Sequence, residues 1–332
     1  MFKRLIIWVV LVLMFCNSLM GNIIDELRVL TESHNDRMEI VRIERIRDLQ
    51  AELSQFQEEN ELPWFADWVI TNMFDYEKNI EGMLSVIILA MPRPAYGELT
   101  FYYNDRQYRA FAFLGADFGR SINYLVEAVQ NADFTIIPYS NIPLKRLAVQ
   151  SGLAEYGRNN IAYVQGMGAK MNLMAFYTNI PLDEDNWREM VVSEHCTDCD
   201  ICVKVCPTGA IREDNFLLDS HRCLVFLNDN ISREIPDWVP STAHHALSGC
   251  LLCQVNCPLN DGMGEVVRLT FSEDETKRIL AGAPWDDVIG EFRTRLDRIG
   301  ITRNPVTVRN LRMLMDLQDE GYVPCLFRVN HE

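Results

Sequence analysis

Cys196-Thr-Asp-Cys199-Asp-Ile-Cys202-Val-Lys-Val-Cys206-Pro207 decides how this chain is read. Its spacing is C-x2-C-x2-C-x3-C-P. A second run, Cys250-Leu-Leu-Cys253-Gln-Val-Asn-Cys257-Pro258, follows a lone Cys223. Steps of two intervening residues let one tight loop wrap three iron corners of a cubane, so the fourth thiolate must come from elsewhere. In two-cluster runs of this spacing the cysteine before proline ligates the other cluster. The pattern therefore predicts two [4Fe–4S] clusters with crossed ligation. One takes Cys196, Cys199, Cys202 and Cys257. The other takes Cys206, Cys223, Cys250 and Cys253.

Zinc and disulfides are the competing readings. Structural zinc uses two C-x2-C pairs, or cysteine pairs with histidines, and does not call for three cysteines at successive three-residue steps. Disulfide frameworks suit short secreted chains, and this chain has 332 residues. The spacing is instead that of bacterial two-cluster ferredoxins. Cys16 and Cys325 lie outside the ladder and are expected to pack as small apolar residues.

The rest of the chain frames this domain. Hydrophobic residues make up 48% and charged residues 23%, as in a globular protein with a sizeable core. The net charge of −16 and the lack of a Lys/Arg-rich run disfavour a nucleic-acid partner, tRNA included. Scattered arginines such as Arg303, Arg309 and Arg312 read as polar helix faces. A small-molecule substrate and an electron-donor protein of flavodoxin or ferredoxin type are the expected partners.

Residues 1–21 read as a leader with conflicting signals. Lys3 and Arg4 precede an apolar run, Leu5 to Phe15, that is short for a membrane span. Export of a cluster protein would call for a twin-arginine signal, which the segment lacks. A cytoplasmic protein without stable membrane association is expected, with a signal or anchor as the alternative, and Met20 opens the first amphipathic segment.

Residues 22–182 read as an α/β domain. A helical stretch over 22–60 precedes a buried strand at 85–91, a hairpin at 98–113 and a helix at 118–129. Buried strands at 134–138 and 172–178 flank a short helix at 143–150. Residues 183–265 carry the clusters, and 266–332 read as helical. Between sheet and clusters lies Ser151-Gly152-Leu153-Ala154-Glu155-Tyr156-Gly157-Arg158-Asn159-Asn160, a loop in which two glycines could bring backbone close to a bound group. A helix cap followed by a turn is its plainer reading.

Taken together, the Gly152–Asn160 loop, the two cysteine runs, Arg222-Cys223 and the Pro258-x-Asn260 ending resemble epoxyqueuosine reductases over about residues 80–310, and corrinoid reductive dehalogenases more loosely. That resemblance implies a nitroreductase-like α/β domain followed by a bacterial two-[4Fe–4S] ferredoxin-like domain and C-terminal helices. It implies an iron–sulfur oxidoreductase whose clusters feed a cobalamin held near Gly152, Gly157, Arg158, Asn159 and Asn160. The proton-donating acid of those reductases would fall at Pro138, where no carboxylate stands, and the neighbouring Tyr139 is the substitute candidate. The helical-repeat extension of the longer reductases has no evident counterpart. The alternative is a ferredoxin-like electron carrier or activator without a corrinoid.

His195 and His221 flank cluster cysteines, and solvent-facing loop positions are expected for both. His244 and His245 are adjacent and do not share a helix face, which disfavours a metal pair. Met167, Met171 and Met174 are expected in the core.

Overall fold

The computed structural model describes residues 23–213, 216–229, 234–282, 284–302 and 306–327. The expected leader at 1–21 lies outside them. Helical residues 23–33 (α1) lead into β1 (Arg37–Arg42), α2 (Arg45–Glu59) and α3 (Trp64–Asn72). There follow β2 (Ser85–Pro92), β3 (Tyr96–Tyr103), β4 (Arg106–Ala112), α4 (Phe118–Asn131), β5 (Ile136–Tyr139) and α5 (Leu144–Gln150). A small hairpin, β6 (Ala154–Tyr156) and β7 (Ala162–Val164), precedes β8 (Met171–Thr178).

β2 is a continuous apolar run because both of its faces are covered. It is central in an antiparallel sheet of order β1-β2-β8-β5, with Ser85 opposite Thr178 and Ile88 opposite Ala175. Val86, Ile88 and Ala90 face a core built with Leu49 of α2 and Leu147 of α5. Ile87, Leu89 and Met91 face the other core, with Leu27 of α1 and Leu125 and Val129 of α4. Met167 and Met171 join the first core, and Met174 packs partly buried against the second.

β1 is the element the sequence reading absorbed into a helix. Arg37-Met-Glu-Ile-Val-Arg42 carries charges at 37, 39 and 42 among apolar residues and reads as amphipathic in either period. Pairing with the buried β2 settles it as a strand. Asp36, wholly buried at its start, accepts from Ser121 Oγ (2.7 Å), Tyr124 Oη (2.6 Å) and Arg120 (2.7 Å), which ties α4 to the sheet.

The cluster segment contains only short helices: α6 (Ile201–Val205), α7 (Leu224–Asp229) and α8 (Leu252–Val255). Beyond it the chain returns as β9 (Val266–Phe271), then α9 (Glu273–Ala281), α10 (Gly290–Arg298) and α11 (Val306–Asp319). β9 was expected to be part of a helical tail. It instead pairs parallel to β3 and makes a second sheet, β4-β3-β9. Phe101 and Phe271 stack at 4.9 Å across that pair, and Leu296, Leu311 and Leu314 cover it. Helix α9 starts on a capping box, Ser272 with Glu275, and ends at Gly282 in the left-handed region. The fold is thus mixed helix and sheet, with C-terminal helices after the cluster segment. Among the described residues no helix is long and apolar enough to cross a membrane.

Candidate functional site: a double cluster centre and its cavity

The eight ladder cysteines sort into two neighbourhoods. Burial pushes the Cys202 thiol up to about 12, and the charges that add to this come from Cys196, Cys257 and Cys199. Burial also raises Cys253 well above its ordinary value, with Cys250 and Cys223 the nearest contributors, then Cys202 and Cys206. Burial raises Cys223 too, and Cys206 adds to it. Thiols that crowd one another in this way lose protons together when a metal core takes their charge. Among the described residues no three His, Cys, Asp or Glu side chains converge on a single-ion site.

Polar donors surround these sulfurs. Arg158 N–H donates to Cys196 Sγ (3.4 Å) and Ala210 N–H to Cys206 Sγ (3.2 Å). Burial raises the Cys257 thiol, while the Tyr163 hydroxyl and the Leu259 N–H donate to it and hold it down. Burial and the neighbouring Cys257 push the Tyr163 phenol far above its ordinary range. Donors aimed at thiolate sulfur stabilise the charged form and tune cluster potential. Leu251, between Cys250 and Leu252, has φ +68°, a left-handed conformation rare for a branched residue. Such strain persists where surrounding structure over-determines it, here between two cysteines two residues apart.

The Gly152–Asn160 loop divides its work. The Arg158 guanidinium donates to the carbonyls of Cys196 (2.6 Å), Cys199 (3.0 Å) and Thr197 (3.2 Å), so it clamps the first cysteine loop. Buried Asn159 donates to Tyr163 Oη (2.8 Å) and to Cys253 O (3.1 Å), joining the hairpin to the second run. Gly157 is needed for packing: a Cβ there would stand 2.5 Å from Tyr163 Cε2. Gly152, at φ +87°, lines a polar cavity of about 530 Å3 together with His195, Arg188 and Tyr163. Asn160 lines a different, apolar cavity of about 560 Å3. The loop expected to sit along one cofactor therefore faces two cavities and holds both cysteine runs.

The apolar cavity lies between α3 and the start of α5. Phe56, Phe65, Val69, Phe74, Phe216 and Met190 stand in its apolar wall, and Ser220 brings the chain leading to Cys223. Lys145 and Arg146 are cations of its lining. Arg146 is paired with Glu52 (2.7 Å), whereas Lys145 faces the loop. The ammonium donates to Asn160 O (2.8 Å) and Oδ1 (3.1 Å). Its side chain is open to the cavity, yet crowding by protein lowers it to about 8, against the opposing pull of Cys223. Helix α3 closes the cavity without a buried residue of its own: Trp64 stacks on His221 and Phe65 packs on Phe226.

Several expected residues stand elsewhere. Tyr139 is 6% exposed, and its hydroxyl donates to Asp75 O (2.8 Å) beside the Tyr177 ring. Burial, with Asp75 next to it, raises its phenol. It lines neither cavity, so its geometry is that of a packed residue. Pro138 is exposed on β5. Cys325 was expected to be packed and is exposed, in the irregular C-terminal segment where no core closes over it. Cys16 lies outside the described residues. His195 is exposed as expected, whereas His221 is held in the aromatic contacts under α3.

Sequence reasoning missed the buried polar shell. His245 is wholly buried, with Nδ1 2.7 Å from Ala243 O and Nε2 on Cys250 O. Both partners are carbonyls, which accept only. Asn260 accepts from Ala169 N–H (2.6 Å) and donates to Gln254 O (2.7 Å), which explains an asparagine three residues after the last cysteine. Arg93 and Lys170 are buried behind the same run. Nothing in their local sequence marks them as internal.

Residues 195–260 match a 4Fe-4S double cluster binding domain. Epoxyqueuosine reductase of Cyclobacterium marinum is 27% identical over 198 residues, 59% of this chain and 59% of that protein. The Escherichia coli enzyme is 31% identical over 138 residues, 42% of this chain and 34% of that protein. The matched regions thus span about a third to three-fifths of these curated relatives. The fold of epoxyqueuosine reductase from Bacillus subtilis superposes with a TM-score of 0.63 at 18% identity, covering 91% of this chain and 83% of that one. An epoxyqueuosine reductase in complex with an epoxyqueuosine-modified tRNA stem loop gives 0.62 at 17% identity, covering 89% and 81%. The chain carries a double [4Fe–4S] cluster domain and is epoxyqueuosine reductase-like in sequence and in fold.

Proposed function

We propose that this chain is an iron–sulfur oxidoreductase in which two [4Fe–4S] clusters pass single electrons to an acceptor held in the apolar cavity under α3. Cys196, Cys199, Cys202 and Cys257 hold one cluster, and Cys206, Cys223, Cys250 and Cys253 the other. An electron-donor protein of flavodoxin or ferredoxin type loads them. The observation that carries the reading is the position of the cavity: its wall includes Lys145, which feels Cys223, and Ser220, three residues before that cysteine. A cluster held by Cys223 and its partners would therefore stand beside the wall of this space.

The residues of the cavity test which acceptor fits. A volume of about 560 Å3 with mostly apolar lining suits a drug-sized organic molecule. A cobalamin, the acceptor implied by the resemblance, is larger with its nucleotide tail, so the cavity as it stands would hold only part of it. Bound there, a corrinoid would supply a low-potential cobalt centre; Lys145, Arg146, Asn160 and Ser220 are polar side chains of the wall. The chain's own contribution is the same for either occupant: exclusion of water by the aromatic wall and one ammonium as a proton source. Tyr139 takes no proton-transfer role in this reading, because its hydroxyl is committed to Asp75 O.

Iron, sulfide and cobalt analysis of anaerobically prepared protein, with EPR of the reduced state, tests the proposal. Two interacting spins are expected. Stoichiometric zinc without an EPR signal overturns it. Cobalt in the purified protein shows that a corrinoid is bound, and its loss on lining the cavity with a bulkier side chain, Val69→Trp, assigns the cavity to it. With clusters present and no organic acceptor bound, the chain is instead an electron carrier or activator. One solved neighbour is bound to a tRNA stem loop, which makes tRNA a substrate to test. The net charge of −16 opposes a phosphate backbone. Complementation of a strain lacking epoxyqueuosine reductase is expected to fail, and restored queuosine would establish tRNA as the substrate.

A further inference from the structure

Behind the second cysteine run lie two cations with no carboxylate partner among the described residues. Lys170 is 3% exposed, and among the described residues its Nζ has no hydrogen-bond partner. Arg93 is 4% exposed. Among the described residues its guanidinium donates to neutral oxygens alone: Gln254 Oε1 (2.6 Å) and the carbonyls of Pro94 (2.9 Å), Ala169 (3.1 Å) and Ala95 (3.4 Å). Its other face lies 4.3 Å from the Phe113 ring centroid. The two residues are joined through the backbone, Arg93 N–H to Lys170 O at 2.9 Å. Gln254 immediately follows Cys253, and the negative groups that Lys170 feels are Cys253 and Cys257.

Burying one unpaired charge costs several kcal/mol, and a like-charged neighbour adds to the cost. A fold keeps such a pair where something of opposite sign occupies the adjacent space. A cubane with four thiolates carries two net negative charges when oxidised and three when reduced. The hydrogen bonds of Arg93 hold its head against the α8 turn, whereas the Lys170 ammonium is left free to interact through charge alone.

We propose that Lys170, backed by Arg93, is the built-in counter-charge of the cluster array and raises its reduction potential. It acts through the field and touches no substrate. When a one-electron donor reduces a cluster, the negative charge increases by one, no bond breaks, and the buried ammonium stabilises the added charge. The inference rests on the proposed clusters, and iron and sulfide analysis of each sample keeps its failure distinct from theirs.

The test is an EPR-monitored redox titration of the whole chain, anaerobically loaded, as wild type, Lys170→Met, Lys170→Gln and Lys170→Arg. A unit charge acting over roughly 12 Å at an effective dielectric of about 20 gives about a tenfold fall in the reduced-to-oxidised ratio at fixed potential for the two neutral variants. For a one-electron couple that is a downward shift of about 59 mV. Lys170→Arg is expected to stay near wild type. Neutral variants that carry both clusters at wild-type potentials overturn the proposal. Should the neutral variants fail to load iron, loading by Lys170→Arg alone supports a charge requirement, and failure of all three assigns Lys170 to packing and overturns it.

Discussion

Replacing Arg158 with methionine should loosen one cluster and spare the other. The guanidinium makes two short bonds to the first cysteine loop, 2.6 Å to Cys196 O and 3.0 Å to Cys199 O, and two longer ones to Thr197 O (3.2 Å) and Glu213 O (3.4 Å). Hydrogen bonds from a charged donor contribute ~1.5–3 kcal/mol each. The side chain is partly exposed, so the two short bonds are counted at the low end and the long ones neglected, which gives ~3 kcal/mol for holding the loop closed. At ~1.4 kcal/mol per tenfold, opening becomes about 100-fold more frequent. The backbone N–H of residue 158 still reaches Cys196 Sγ, so the cluster should assemble. Anaerobic iron release to an excess of chelator, followed by loss of visible absorbance, reads the effect. Two phases of equal iron content are expected, one about 100-fold faster than wild type by that conversion and one unchanged. A single phase at the wild-type rate, or equal acceleration of both, would refute the clamp.

Cys223→Ser should remove the cluster of Cys206, Cys250 and Cys253 and leave about half the iron, with the EPR spin–spin coupling lost, because the crossed pattern gives each cluster its own four thiolates. Gly157→Ala should lower the urea midpoint by the equivalent of ~1–3 kcal/mol, the usual range for overpacking, since the new methyl meets Tyr163 Cε2 at 2.5 Å and Asn159 Oδ1 at 2.8 Å. Asp185 supplies a pH signature. Burial alone would raise its pKa, but the Arg45 guanidinium (2.9 Å) and the Arg42 N–H (3.0 Å) outweigh it and hold the carboxyl below its ordinary value. Its folded pKa is depressed, so its stabilisation is complete above about pH 4 and disappears as pH falls through the lower folded value. Asp185→Asn should therefore cost ~2–3 kcal/mol in urea unfolding at pH 7, below the full buried-pair penalty because Arg45 is partly exposed. The gap to wild type should close in strong acid; a gap independent of pH would remove the ion pair from the account.

What was legible in the sequence is what a short window contains. The cysteine ladder was readable because cubane ligation fixes the spacing of its residues. The strand at Ser85–Pro92 was readable because full burial makes every position apolar. β1 was not, because charges at 37, 39 and 42 fit a strand edge and a helix face alike. β9 was not, because Val266-Val-Arg-Leu-Thr-Phe271 becomes a strand only by meeting β3, about 170 residues earlier. The site followed the same division. Arg158 and Asn159 stood in the singled-out loop, but their work is to hold cysteine loops. Arg93, Lys170 and His245 were invisible as site residues, since local sequence does not say that a polar side chain will be internal, and Lys145 because no motif marks the cavity it lines. The cavity under α3 is assembled from α2, α3, α5 and the 216–220 segment, which no single motif spans.

The topology explains why the cluster segment can do without long helices. It leaves the first sheet after β8 and re-enters the second at β9, so both of its ends are fixed on strands. Between those ends several contacts stitch it to the body, and three of them pair with backbone at the cysteine runs or their flanks. Arg158 holds the first run, Asn159 and Asn260 hold the second, and Phe111 exchanges backbone hydrogen bonds with His245 and Leu247 (2.9 and 2.8 Å). Each stitch uses a polar group that would be costly to bury unpaired, and each pairs with a carbonyl or amide of a cysteine-bearing loop or its flank. The same polar shell that fixes the loops thus surrounds the sulfurs with donors and cations. The chain as a whole carries a net charge of −16, so the cations Arg93 and Lys170 stand inside an acidic molecule. Such a net charge repels acidic macromolecules and, under the proposed electron transfer, favours a donor whose docking face is basic.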